Sequence, residues 1–344
     1  MLSKHNAKSY MVKQPYKRNL SIKKGRGSIH FPFFLLLWLS KFIKETMKPN
    51  TFYSLIMLAG ITFLSCSSGT TSSTTQVEDT LQDTVGYPEE HLNWKLGAQA
   101  YTFRLFTFAE ALDKIDSADL RFVEAFPGQI IGAGNEEKFN YTLSKEGRNL
   151  VRKLLTDRNI TLHAFGVVNG KDAAEWDQIF AFAQDMGVRV INCEPKEEHL
   201  DIISALCDKY DIRAAIHNHP EPTTYWKPEV VLAALQGRSS KMGAAADVGH
   251  WMRSGLDPVE CLKKLNGKII HAHFKDLNAF GDKKAHDVHW GTGKLPINEV
   301  IEELKNQNFD GMLSAEYEYN WENNQPDVAQ SVRNLRELLS ASAN

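Results

Sequence analysis

The sequence predicts a single-domain (β/α)₈ TIM barrel over residues 94–344, preceded by a signal segment and a polar tether. From residue 94 onward, eight short apolar segments alternate with amphipathic stretches of helical periodicity, which is the pattern of repeated βα units. About 250 residues is the usual length of such a barrel, so no second domain is expected. A doubly wound sheet is the alternative, but the sequence has no P-loop and no GxGxxG after a predicted strand.

The predicted strands are short and apolar, and helix-like segments separate them. Several of these segments begin with proline near the first turn, where the missing N–H breaks no hydrogen bond. The predicted strands are Leu96–Phe103, Arg121–Phe126, Ile160–Val167, Arg189–Glu194, Arg213–His219, Gly243–Val248, Ile269–Phe274 and Met312–Tyr317. The predicted helices include Asp172–Met186, Pro228–Leu235, Pro258–Leu265 and Pro296–Leu304.

The segment before residue 94 has the composition of an export signal and a linker. Residues 47–66 combine a positive start, a short apolar run and a small residue before Cys66, as in a secretory signal peptide. The stretch Phe63-Leu64-Ser65-Cys66 resembles the lipobox of bacterial lipoproteins, in which the cysteine is acylated. Residues 67–93 then form a Ser/Thr-rich tether. A membrane-spanning anchor formed together with the apolar run at residues 31–39 is the alternative.

The position of the signal indicates where the protein begins and where it resides. Signal peptides start close to their basic residues, so we expect translation to begin at Met47, with residues 1–46 a mis-called extension. Ser67 rather than Asp follows Cys66, and no run of acids comes next. We therefore expect a lipid-anchored protein that faces the periplasm, on the outer membrane of a Gram-negative bacterium.

The charge distribution argues against nucleic acid as a partner. Residues 1–66 contain eleven Lys or Arg and one acid, so the formal net charge of −2 leaves −12 for the remainder. An acidic body repels polyphosphate. This charge also opposes a phosphodiesterase of the endonuclease IV kind, which Asp287-x-His289 would otherwise suggest. The expected partners are a small carbohydrate and, through Cys66, a membrane, and the sequence also allows a homo-oligomer.

Ionisable side chains recur where the predicted strands end. The carboxyl ends of all strands meet at one face of a (β/α)₈ barrel, and the chemistry takes place there. A lone His or Glu at a strand end is usually a solvated rim residue, but such residues on six neighbouring strands, the third to the eighth, indicate a shared site. They are His163, Glu194, His217, His219, Asp247, His250, His271, His273, Lys275, Asp276, Glu316 and Glu318.

The mixture of carboxylates and imidazoles predicts one divalent metal ion. Oxygen and imidazole ligands together suit Mn²⁺, Fe²⁺, Co²⁺ or Zn²⁺, and carboxylates also suit Mg²⁺. The imidazoles disfavour calcium. His271 and His273 alternate with Ala272, so both side chains face the same side of their strand.

Four motifs in this region are typical of one family. They are Asp247-x-x-His250, His271-x-His273 with Lys275-Asp276, Asp287-x-His289-x-Gly291-x-Gly293, and Glu316. On these motifs the chain resembles the xylose isomerase-like TIM barrel superfamily, also called the sugar phosphate isomerase/epimerase family, as an exported lipoprotein member. The resemblance implies one metal ion held by Glu, Asp, His and Glu from the fifth to the eighth strand. Asp247, His273 and Glu316 match three of these positions.

The fifth strand departs from the family pattern, because His217 stands where the family has Glu. The change removes one of the two carboxylates that epimerases of this family use as paired acid and base. Glu194, on the neighbouring strand, is a candidate for the missing carboxylate, which leaves His217 or His219 as ligand or base. The expected metal ligands are Glu194, His217, Asp247, His273 and Glu316, and the expected catalytic residues are Glu316, His217 and Glu194.

The resemblance implies a metal-dependent isomerase or epimerase that removes a proton next to a carbonyl of a small sugar. Because one carboxylate is replaced, a lyase on the same barrel (a dehydratase or an enzyme that cleaves 3-keto-glycosides) is an alternative, and a sugar-binding lipoprotein without catalysis is another. Export favours an unphosphorylated sugar, since sugar phosphates are mainly cytoplasmic. The expected substrate-binding residues are His163, His219, His250, Lys275, Asp287, His289 and Phe126.

The lipid anchor can be tested directly. We predict that Cys66→Ala abolishes fractionation of the native protein with membranes, because the variant has no thiol to acylate. The measurement is immunoblotting of membrane and soluble fractions. A Cys66→Ala protein that still pellets with the membranes would show that another segment anchors the chain.

Overall fold

A computed structural model describes residues 86–342 of the chain. In this range eight parallel strands close into a barrel, so the predicted (β/α)₈ architecture is confirmed. The predicted signal segment, Cys66 and residues 67–85 of the tether lie outside the described residues. None of the helices within 86–342 is both long and apolar enough to cross a lipid bilayer.

Each barrel strand pairs in parallel with the next strand of the barrel, and the last pairs with the first. The strands are β1 (Lys95–Gln99), β2 (Phe122–Ala125), β3 (Thr161–Phe165), β4 (Val190–Cys193), β5 (Arg213–His217), β6 (Met242–Asp247), β7 (Ile269–Phe274) and β8 (Met312–Ala315). Two short antiparallel pairs lie outside the barrel, namely Ile130–Gly132 with Asn135–Lys138 and Asp276–Leu277 with Asp287–Val288.

Helices follow the strands along the chain. They are α1 (Phe108–Ser117), α2 (Lys145–Asp157), α3 (Ala173–Met186), α4 (Leu200–Tyr210), α5 (Pro228–Leu235), α6 (Val248–Arg253), α7 (Pro258–Lys264), α8 (Ile297–Asn306) and α9 (Gln325–Ala341). Short 3₁₀ turns span Glu90–Leu92, Ala100–Phe103 and Glu197–His199. Side chains fix several helix starts: Thr107 and Glu110 form a capping box on α1, and Asp172 caps α3.

The apolar face predicted for α3 packs against the barrel. Trp176, Ile179, Phe180 and Phe182 are each at most 1% exposed. The ring of Phe182 meets that of Phe165 on β3 nearly edge-on, with 5.3 Å between centroids. Burial of each such side chain contributes about 1.5–3 kcal/mol, so this face holds the helix to the sheet.

Seven of the eight predicted strands end one to four residues earlier than the apolar pattern indicates, and at two of them a side chain marks the end. Strand β1 ends at Gln99, whose side-chain oxygen accepts a hydrogen bond from the N–H of Tyr101 (3.2 Å) and starts a 3₁₀ turn. Strand β6 ends at Asp247, whose Oδ1 accepts a hydrogen bond from the N–H of His250 (2.7 Å) and caps α6. In both places a side chain bonds to the backbone and turns the chain away from the sheet.

Arg336 fastens the last helix to the segment before β1. Its guanidinium donates hydrogen bonds to Glu89 (2.7 Å) and Asp119 (2.6 Å) and lies 3.6 Å from the centroid of the Tyr87 ring. Glu89 is only 2% exposed, so little water reaches its carboxylate and Arg336 supplies the compensating charge. This contact joins the two ends of the described chain across the closed barrel.

We predict that Arg336→Met lowers the free energy of unfolding by about 3 kcal/mol, because Glu89 remains buried without its cation. Urea unfolding followed by circular dichroism is the measurement. Arg333→Met is the matched control: Arg333 lies on the same helix, is exposed and bonds Gln330, so its loss should cost less than about 0.5 kcal/mol. Equal stability of the two variants would contradict this role for Arg336.

Candidate metal centre

Three residues that were predicted as metal ligands meet at the carboxyl end of the barrel. The register of β6 and β7 places Asp247 opposite His273. His273 Nδ1 lies 2.9 Å from Glu316 Oε2 and 3.8 Å from Asp247 Oδ2. All three residues are buried, and Glu316, at 8%, is the most exposed of them. The structure therefore brings together the predicted residues from the sixth, seventh and eighth strands.

His217, at the end of β5, adds a fourth donor atom to this group. Its Nε2 lies 3.0 Å from His273 Nδ1 and 3.7 Å from Asp247 Oδ2. Its other ring nitrogen, Nδ1, lies 2.9 Å from Glu194 Oε1. A carboxylate on the far ring nitrogen is the usual way in which proteins orient a metal-binding histidine. We call His217, Asp247, His273 and Glu316 the donor cluster.

Glu194 occupies a different place from the one expected for a ligand beside Asp247. Its carboxylate bonds the imidazoles of both His217 and His219. These three residues form a separate group, in which Glu194 lies on the side of the His217 ring away from His273. Glu194 thus contacts two histidines, and within the described residues it has no contact with Asp247 or Glu316. Its predicted role as a direct metal ligand stays a prediction.

Glu124 on β2 holds the far side of His273, and the sequence analysis missed it. Its Oε2 lies 2.7 Å from His273 Nε2 and 2.8 Å from His271 Nε2, and its Oε1 accepts a hydrogen bond from Asn192 (2.6 Å). The signal in the sequence is one carboxylate between Val123 and Ala125 in an apolar strand, since a glutamate is rarely buried without partners. Glu124 fixes His273 as Glu194 fixes His217.

A buried ammonium group lies beside the carboxylates of the donor cluster. Lys275 Nζ is 2.9 Å from Asp247 Oδ2, 2.7 Å from Glu316 Oε2 and 3.0 Å from Glu318 Oε2. Of these three contacts, the one with Glu318 has the geometry of a hydrogen bond. Asp247 Oδ2 and Glu316 Oε2 have no hydrogen-bond donor among residues 86–342. Lys275 thus offsets their charge through ion pairs, and each of these two oxygens keeps a lone pair that could bind a further ligand.

The donor cluster fits a divalent metal ion. Atoms that bind one ion at about 2.0–2.2 Å lie about 3–4 Å apart. Within the cluster the measured separations are 2.9, 3.0, 3.7 and 3.8 Å. Two carboxylates and two imidazoles are a donor set that first-row divalent ions accept. His250 Nε2, 3.4 Å from Asp247 Oδ2, offers one more nitrogen at the edge.

The charges around the cluster determine its protonation. Burial acts to raise the pKa of Glu316, but the charges of Lys275 and of a protonated His273 outweigh it and hold that pKa well below its usual range. An imidazole binds metal in its neutral form, so a metal ion bound to His273 would replace that proton. Burial acts to lower the pKa of Lys275, but Asp247 and Glu316 outweigh it and hold that pKa well above its usual range. Glu316 is therefore ionised near neutral pH, the state in which a carboxylate binds metal or accepts a proton.

The donor cluster opens into a cleft of about 320 Å³. Two of the predicted substrate-binding residues, Phe126 and His219, line this cleft together with Glu316. The other lining residues are Gln99, Tyr101, Pro127, Gly166, Val167 and Glu318. This volume is at the lower end of the range for small-molecule sites, so the cleft suits a ligand the size of one sugar ring.

Three predicted substrate-binding residues are buried and do not line the cleft. His250 and Lys275 are buried beside Asp247, and their predicted contact with substrate stays a prediction. Asp287 accepts a hydrogen bond from Arg253 (3.1 Å), and burial raises the pKa of Asp287 to about 7. Arg253, which the sequence analysis did not single out, forms ion pairs with Asp287 and with Glu318, and Glu318 lines the cleft.

The remaining two predicted substrate-binding residues do not line the cleft. His163 lies in the middle of β3, where burial lowers its pKa to about 3 and its Nε2 has no hydrogen-bond partner among the described residues. His289 pairs with Asp327 on α9, with 2.9 Å between Nε2 and Oδ1. For both residues, contact with a substrate stays a prediction.

The glycines of the 287–293 motif have a structural explanation. Asp276 accepts hydrogen bonds from the N–H groups of Gly291 (2.9 Å), Gly293 (2.8 Å) and Leu295 (2.8 Å). A Cβ at position 293 would lie 2.2 Å from Asp276 Oδ1, so only glycine fits there. The pair Lys275-Asp276 therefore combines a charge for the donor cluster with an anchor for the following loop.

Comparison with known proteins agrees with this fold. A protein of Methanocaldococcus jannaschii, described as uncharacterized, is 30% identical over 146 residues; the match covers 41% of this chain and 47% of that protein, so the chain spans about half the length of this relative. The crystal structure of an uncharacterized protein from Parabacteroides distasonis is 40% identical and covers 71% of this chain and 99% of that chain, with a TM-score of 0.60.

A second solved structure, that of a D-tagatose 3-epimerase-like protein, is 20% identical and covers 72% of this chain and 97% of that chain, with a TM-score of 0.56. At this identity the likeness shows the fold alone. A family model described as xylose isomerase-like TIM barrel matches residues 112–338, which include β2 to β8 and the whole donor cluster. The chain therefore belongs to the xylose isomerase-like TIM barrel family.

Proposed function

We propose that this protein is a metal-dependent isomerase or epimerase that removes a proton next to a carbonyl of a small, unphosphorylated sugar. The observation that carries the proposal is the donor cluster, in which two buried carboxylate oxygens without hydrogen-bond donors converge with two imidazole nitrogens beside a cleft. The D-tagatose 3-epimerase-like protein has the same barrel fold, so the fold is compatible with this class of reaction.

The four residues of the donor cluster would hold the ion, with Glu124 and Glu194 orienting the two histidines. A divalent ion held there supplies positive charge that polarises a sugar carbonyl and makes the neighbouring C–H acidic. Mn²⁺, Co²⁺, Zn²⁺, Fe²⁺ and Mg²⁺ all remain candidates, because the mixed donor set is acceptable to each.

Glu316 is the proposed base. It belongs to the donor cluster and also lines the cleft, so its carboxylate can reach a C–H of a sugar that lies there. Lys275 keeps this carboxylate ionised, which leaves it able to accept a proton at an Oε atom. Return of that proton to the other face, or to the adjacent carbon, completes epimerisation or isomerisation.

The cleft is unfavourable for a phosphate group. Its lining includes the carboxylates Glu316 and Glu318, and no Lys or Arg appears among the described residues that line it. A phosphorylated sugar would therefore find no lysine or arginine in the cleft lining to bind its phosphate, since Lys275 and Arg253 are already paired with these carboxylates. His219 and Gln99 can instead form hydrogen bonds with neutral hydroxyl groups.

Elimination is the second candidate reaction, and His217 is the observation that favours it. Epimerases of the family use two carboxylates on opposite sides of the sugar, whereas here one position carries an imidazole whose Nδ1 is held by Glu194. One base and a departing group suffice for elimination. Analysis of the product by NMR separates the two, because only elimination releases the β-substituent as water or an alcohol and leaves a deoxy-dicarbonyl or unsaturated sugar, whereas an epimer or isomer keeps the composition of the substrate.

The lipid anchor at Cys66 and the periplasmic location remain part of the proposal. They rest on the signal-like residues 47–66, which lie outside the described residues. An exported position agrees with a cleft suited to unphosphorylated sugars.

We predict that Glu316→Gln lowers the rate of proton exchange by about 10²–10⁴, because the amide keeps the shape but loses the basicity of the carboxylate. The measurement is deuterium incorporation from solvent next to the carbonyl of D-fructose, D-tagatose and D-allulose, with metal content determined in parallel. Metal should be largely retained.

Glu318→Gln is the matched control, because Glu318 also lines the cleft but its carboxylate bonds Arg253 and Lys275. This variant should lose far less of the rate. If Glu316→Gln exchanges the proton as fast as the unmodified protein, Glu316 is not the base. The base would then be sought among His217, His219 and Glu194.

A further inference from the structure

A groove adjoins the cleft and shares two of its residues. The groove has a volume of about 540 Å³ against about 320 Å³ for the cleft, and Tyr101 and Phe126 line both. The other residues that line the groove are Arg104, Leu105, Phe106, Thr107, Glu110, Gly128, Gln129, Ile130 and Lys138. Because the two spaces meet at the same aromatic pair, a ligand longer than one sugar ring can extend from the cleft into the groove.

Aromatic side chains that contact one another lie where the cleft meets the groove. The Tyr101 ring meets Phe126 edge to face at 5.2 Å and Trp321 at 5.9 Å between centroids. The Arg104 guanidinium lies 3.8 Å from the centroid of the Trp321 ring and donates a hydrogen bond to the Tyr101 hydroxyl. Rings held in this way offer flat apolar faces with polar edges, which match a sugar ring in both respects.

The groove also carries groups that the fold leaves unused. Leu105 is 58% and Ile130 is 38% exposed, although both side chains are large and apolar. Gln129 is 4% exposed and donates hydrogen bonds to the carbonyls of Phe103 and Phe106, while its Oε1 has no donor among the described residues. Leu105, Ile130 and Gln129 do not line the cleft, so a single ring bound there would not use them.

We propose that the groove binds the second, non-reacting sugar unit of a disaccharide whose first unit lies in the cleft. This assignment rests on the proposed function and specifies its substrate class. The apolar face of the second ring packs on Leu105 and Ile130, and its hydroxyl groups reach Glu110 and Lys138. Arg104, Glu110 and Lys138 line the groove, so both donors and acceptors of hydrogen bonds are available to the hydroxyl groups of a saccharide.

The test compares two arginine substitutions in the full chain loaded with Mn²⁺. Ile130→Arg places a long cationic side chain in the groove. Val230→Arg is the matched control, because Val230 is also branched and is 37% exposed, but lines a separate cavity beside Tyr225. Isothermal titration calorimetry measures binding of D-glucose, D-fructose and the glucose disaccharides trehalose, maltose and cellobiose.

In the unmodified protein, at least one disaccharide should bind about tenfold more tightly than its monosaccharide. Ile130→Arg should remove this difference and change the monosaccharide affinity by less than about twofold, whereas Val230→Arg should change neither. If monosaccharides bind and no disaccharide binds more tightly, or if Ile130→Arg keeps the difference, the groove proposal is wrong and the proposed function stands. If neither kind of sugar binds, the proposed function is wrong and the groove proposal fails with it.

Discussion

The carboxyl end of this barrel depends on the balance of charge around Asp247 and Glu316. Two carboxylates this deeply buried lose their hydration, which costs several kcal/mol per ion unless cations and hydrogen bonds compensate. Lys275 supplies the cation at 2.9 and 2.7 Å, and the second oxygen of Asp247 caps α6. One oxygen of each carboxylate still lacks a donor, which is why the site can accept a metal ion.

The histidines of the donor cluster are positioned by carboxylates that come from other strands. Glu124 on β2 fixes His273, and Glu194 after β4 fixes His217, so each ring presents its remaining nitrogen to the cluster. Residues from strands in both halves of the closed barrel thus converge on the donor cluster. Barrel closure, which the contacts of Arg336 support, is therefore a condition for the geometry of the site.

The sequence predicted the barrel well because strand alternation and length are local properties, and its motifs predicted that Asp247, His273 and Glu316 lie together. Their role as metal ligands stays a prediction. The sequence did not predict that Glu194 contacts both His217 and His219, because that contact depends on which ring nitrogen of His217 faces the donor cluster. The sequence did not indicate the contact of Glu124 with His273, because the two residues are 149 positions apart. Side-chain direction and long-range pairing appear only when the barrel is closed.

Anomalous scattering from crystals soaked in Mn²⁺ or Zn²⁺, recorded at the absorption edge of the metal, tests the central claim most directly. We expect one strong peak per chain, about 2.0–2.3 Å from His217 Nε2, Asp247 Oδ2, His273 Nδ1 and Glu316 Oε2. A peak held instead by the carboxylate of Glu194 with His217 and His219, or no peak at a saturating metal concentration, would contradict it.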